Sequence, residues 1–202
     1  MSGAMLRLRQ SLQSFANDES GVLLAEFLIL LPLLLWAFVA LFIYWDVFRT
    51  INVTQKAAYG IADLLSRQVV VTENFVDGLQ NVLDFLTPGA PDSRMRITSL
   101  EFDAGDPADV ADDRYVLLFS RSPGNKVLPL TDVTIQDLDE FIPTLDDLDS
   151  VVIVETWVDY VPDFDTGLLN VAPGITDQTF TQFIVTRPRD RRVCLDGTPG
   201  CA

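Results

Sequence analysis

Residues 27–45 carry no charged side chain, and Glu26 alone interrupts the apolar run that opens at Gly21. A helix needs about 20 such residues to cross a hydrocarbon core of about 30 Å. A carboxylate just inside the edge of such a run is costly to bury, which points to a job for it. The spacing predicts a membrane helix over 22–45, so the chain has a lipid bilayer as its first partner. Pro32 lies within it, and a membrane helix tolerates the lost N–H because nearby backbone adjusts, with a mild kink expected. Tyr44 and Trp45 stand where an outer aromatic belt belongs, while Trp36 is mid-span.

Two arginines followed by an apolar block also describe a secretory signal peptide. This block is longer than a signal's apolar region, and no small-x-small site follows before Asp46, so the segment is expected to remain as an anchor. Arg7 and Arg9 on the short side favour an inside N-terminus and an outside domain, with Arg49 and Lys56 partly offsetting them. Residues 1–21 then form a cytoplasmic leader.

Charge and composition exclude several functions. Lys and Arg total 14 against 29 Asp and Glu, a net charge of −15, and nearly all the excess acid follows Trp45. Such a surface repels a phosphate backbone, so no nucleic acid is expected as a partner. There is no histidine, which removes Ser-His-Asp and Cys-His catalysis and the commonest metal ligand. No enzyme activity, cofactor or metal is expected. Arg187, Arg189, Arg191 and Arg192 form the one local basic cluster; they either grip an anion or pair with the acidic body as a solvated segment. The acidic loops 103–113, 146–149 and 163–177 lack the closing pattern of a calcium loop and read as solvated, with weak Ca²⁺ binding as the alternative. In an oxidising compartment Cys194 and Cys201 are expected to close a small disulfide loop in the tail.

Past the membrane run, Val47, Ile51, Thr54, Ala58, Ile61 and Leu65 recur at three- and four-residue steps, predicting a helical stalk over 46–70 that continues the span. Gly60 is its weak point, at about 1 kcal/mol relative to Ala. A second helix begins at Thr72, a good N-cap, presents Phe75, Val76, Leu79, Val82, Leu83 and Leu86, and stops at Pro88-Gly89. Strands are expected around Met95–Phe102 (with imperfect alternation), 115–119, 151–161 and 179–186, with a short helix over 134–141 between the second and third. Strand neighbours without long helical crossovers give an α+β fold: a four-stranded, mainly antiparallel sheet with helices on one face, spanning 71–188. Residues 189–202 read as a tail.

The run Asp18-Glu19-Ser20-Gly21-Val22-Leu23-Leu24-Ala25-Glu26-Phe27, followed by Leu30-Leu31-Pro32, resembles the N-terminus of the TadE-like family, minor pseudopilins of tight-adherence (Flp-type) pilus systems. Tyr160-Val161-Pro162 is similar to a strand-end Tyr-x-Pro of such proteins. The resemblance implies cleavage after Gly21 by a membrane aspartic prepilin peptidase, leaving Val22 as N-terminus and Glu26, followed by Phe27, as its fifth residue. It implies other pilins or pseudopilins and an inner-membrane assembly platform as partners. A glycine lets extended backbone enter a narrow protease site, and cutting creates an α-amine of pKa near 8. A neighbouring subunit's amine set beside Glu26 would offset the desolvation of both charges and fix axial register. The rival reading is a single-pass anchored periplasmic ligand-binding or sensor protein, with the arginine cluster as its anion site.

Overall fold

The computed structural model describes residues 20–105, 113–163 and 175–198. Helix α1 spans Ser20–Ser66, 47 residues with Pro32 inside it, or about 70 Å at 1.5 Å per residue. Between Val22 and Phe42 the described large apolar side chains are exposed or half-exposed. Among the described residues this is one helix, near the N-terminus, long and apolar enough to cross a membrane.

Its outer half is a wall of the folded domain, packed along the stripe that Ala58, Ile61 and Leu65 form. Ala57, Ala58, Ile61, Ala62 and Leu65 are all at most 2 % exposed. The small alanines let the sheet approach closely, and burial of this stripe supplies the stability that a lone helix lacks in water. After Ser66 the chain turns through β1 (Val70–Val71) into α2 (Glu73–Leu86). The Thr72 side chain accepts from the Phe75 N–H, the expected N-cap. At the other end the Thr87 N–H donates to the Leu83 carbonyl, and Gly89 takes a φ of 95°, which glycine adopts without strain.

The remaining strands are β2 (Ser93–Asp103), β3 (Arg114–Arg121), β4 (Ser150–Tyr160), β5 (Gln178–Thr186) and β6 (Cys194–Leu195). Four of them form an antiparallel sheet in the order β3-β2-β4-β5. One face carries Met95, Ile97, Val152, Val154, Val158 and Ile184 against both α-helices. The other carries Leu100, Val151, Ile153, Phe183 and Val185 against Ile135, Ile142 and Leu145. The alternation of β2 is imperfect because Met95 and Ile97 serve one core while Leu100 and Phe102 serve the other. A register shift opposite Ser99 and Leu100 marks a bulge in β3, and Leu118 and Phe119 both pack on the helix-side core.

Three expectations need correction. The helix expected over 134–141 is a short 3-10 segment, Gln136–Phe141. It lies on the sheet face opposite α1 and α2, so helices are confined to one face only for the two α-helices. The tail expected over 189–202 is not separate from the domain either. Strand β6 pairs in parallel with β1, Val70 opposite Cys194 and Val71 opposite Leu195. Val193 (0 % exposed) and Leu195 (3 %) lie in the helix-side core, and the Arg189 N–H donates to the Ser66 carbonyl. Burial of these residues overrides the Gly- and Pro-bearing composition that marked 189–202 as a tail.

Candidate functional site

The candidate processing segment lies in the first turns of α1. Gly21 and Val22 are exposed, and a Cβ at Gly21 would meet nothing within 4 Å. Glu26 is exposed and stands four residues beyond Val22, about 6 Å along the axis. Phe27 is 57 % exposed beside it. No Lys or Arg occurs between Arg9 and Arg49, so α1 itself offers Glu26 no cation one or two turns away. Pro32 is accommodated without interrupting the helix. The rest of the expected leader, residues 1–19, lies outside the described residues.

A second feature forms where α1 leaves the apolar run. Asp46, the first charged residue after it, accepts a 3.0 Å hydrogen bond from the Tyr160 hydroxyl at the end of β4. Tyr160 stacks at a tilt against Phe180, centroids 5.7 Å apart. Burial, followed by the Asp46 carboxylate, pushes the Tyr160 hydroxyl up to about 12. One residue turn away, the Arg49 guanidinium lies 5.6 Å from the Trp45 ring centroid, a cation–π contact. A cavity of ≈ 340 Å³ opens here, lined by Asp46, Arg49, Leu86, Asp159, Tyr160 and Val161 among others. The sequence placed Tyr160 on the correct strand face; nothing in it pointed to Asp46 as its partner, 114 residues away.

The arginine cluster does not converge on a single pocket. Arg187 pairs with Asp149 at 3.0 Å, Arg189 with Asp63 at 2.6 Å and Arg192 with Glu101 at 3.1 Å, while Arg191 is exposed. These contacts tie the C-terminal segment to α1, β2 and the loop before β4. Hydrogen bonding from Arg67, together with Arg67 and Arg189 charge, holds the Asp63 carboxyl below its ordinary range. Cys194 is disulfide-bonded and 4 % exposed; Cys201 lies outside the described residues. Among the described residues no group of His, Cys, Asp and Glu is placed to hold a metal ion. Most of the acidic loops 103–113 and 163–177 lies outside the described residues.

No protein-family model, curated protein or solved structure matches the chain.

Proposed function

We propose that the chain is a minor pseudopilin of the TadE-like kind, acting in assembly or priming of a tight-adherence, Flp-type pilus. It is a single-pass protein of a bacterial inner membrane, N-terminus cytoplasmic and domain periplasmic. A prepilin peptidase cuts it after Gly21; its other partners are pilins or pseudopilins of the same system and the inner-membrane assembly platform. It works by packing rather than by catalysis.

One observation carries the reading. Glu26 is the one charge within the apolar run, at a fixed offset of four residues from Val22, and no Lys or Arg stands within twenty residues after it. A carboxylate desolvated in lipid needs a cation. Cutting after Gly21 creates one, the Val22 α-amine, on this subunit and on each neighbour. The competing account, an acid favoured by a helix N-terminus and nearby headgroups, does not require a glycine at that offset. Substituting Glu26→Ala separates them: pilus assembly is lost while membrane insertion persists, whereas full piliation by the variant overturns the proposal.

The cavity beside Asp46 favours a second reading, an anchored periplasmic ligand-binding or sensor protein. Under that reading piliation is indifferent to Glu26, and variants at the cavity rather than at the helix start abolish function.

A further inference from the structure

We propose that the lower rim of the domain lies in the lipid headgroup layer, with Phe85, Leu86 and Val161 as a lipid-contact surface; this rests on the membrane reading of α1 given above. Twenty residues counted from Val22, at about 1.5 Å each, put the outer edge of a core of about 30 Å near Leu41. Ile43, two residues further, is 2 % exposed, while its neighbours Leu41 and Phe42 are 69 % and 53 % exposed. Protein therefore covers one side of the helix at the height of the headgroups. Ile43 shares a stripe with Val47, Thr50 and Thr54, at steps of four, three and four, and none of these is exposed. The cover is continuous with the packing of the domain on α1, and no bare helix separates domain from lipid.

The strands and α2 meet the same level. Tyr160 reaches Asp46, and Leu86 and Val161 line the cavity with Asp46 and Arg49. Val161 is 51 % exposed and Leu86 is 39 % exposed. Beside Leu86, Phe85 is 82 % exposed, more than Phe27, Phe38 or Phe42 within the apolar run. Phe and Leu at this depth are stabilised by the boundary between headgroups and acyl chains, which removes their apolar surface from water. Arg49, held on Trp45, stands at the same height for lipid phosphates. Asp159 and Asp163 also line the cavity, so the contact is a shallow one with the bilayer surface and not the capture of an anion.

The test uses the full chain reconstituted in phosphatidylethanolamine–phosphatidylglycerol vesicles and labelled with an environment-sensitive dye on one added cysteine, under non-reducing conditions. The variants are Phe85→Cys, Val161→Cys, Val133→Cys and Leu34→Cys. Val133 is 78 % exposed and adjoins Asp132, which accepts from Leu117; Leu117 pairs with Leu100, far along β2 from the rim. A nitroxide on the headgroup should quench the labels at 85 and 161 at least about twofold more than that at 133, as expected for apolar groups lying at the boundary. A smaller ratio overturns the inference. A nitroxide on the acyl chain should quench the label at 34; if it does not, the membrane reading fails, and this inference with it.

Discussion

Leu64 and Leu65 are adjacent leucines on α1, and the fold assigns them opposite fates. Leu65 is fully buried in the core formed with Val71, Val76, Val193 and Leu195, while Leu64 is 44 % exposed. Leu65→Ala removes transfer free energy and leaves a cavity that helix, sheet and C-terminal strand together enclose. The expected loss is about 3 kcal/mol, within the range measured for buried Leu→Ala changes. Leu64→Ala forfeits only the buried part of its side chain, about 1 kcal/mol or less. For a domain of this size, about 2–4 °C of midpoint per kcal/mol places the Leu65→Ala melt about 6–12 °C below wild type. Thermal unfolding of the full chain in detergent, followed by near-ultraviolet circular dichroism, reads the difference. Midpoints for the two variants that agree within about 2 °C would refute the argument that this half of α1 is a core wall.

Gly60 is exposed within α1, and an added Cβ meets nothing within 4 Å; Gly60→Ala should therefore stabilise the domain by about 0.5–1 kcal/mol, read as a raised denaturant midpoint. Arg96 contacts Glu155 at 2.6 and 2.7 Å with side chains only 14 % and 10 % exposed. Glu155→Ala leaves that guanidinium uncompensated and should cost about 3 kcal/mol, whereas replacing both residues by apolar ones of similar size should recover most of it. Tyr115 and Tyr160 are both pushed up to about 12, first by burial and then by Asp139 and Asp46 respectively. The folded state holds these hydroxyls protonated, so their contribution is complete below the usual tyrosine value near 10 and is lost as pH rises towards about 12. Alkaline titration of stability should show this decline, and it should shrink in Tyr160→Phe.

The sequence is legible where local physics sets the structure. The Thr72 cap, the Pro88-Gly89 stop and the uninterrupted helix from the apolar run follow from neighbours a few residues apart. The same holds for the face assignment of Val152, Val154, Thr156, Val158 and Tyr160, because side chains alternate along any strand. The β1–β6 pair leaves no signature in the sequence because two residues per strand carry no periodicity, and its register is set by packing across 124 positions, Val70 to Cys194. The same distance hid Val193 and Leu195 in an arginine-rich context. The arginine cluster read as one patch in sequence, yet Asp149, Asp63 and Glu101 draw its members to separate elements. Nothing local in 134–141 says which sheet face the segment covers; that is set by Ile135, Ile142 and Leu145 packing with Val151 and Ile153 across the sheet. For the candidate site, the glycine-to-glutamate offset was visible directly, while the Asp46–Tyr160 contact existed only once the sheet had been assembled on α1.

The most direct measurement is the intact mass and N-terminal sequence of the protein purified from membranes of cells with an active prepilin peptidase. The account predicts a chain that begins at Val22. Material that still begins at Met1 in those cells would contradict it.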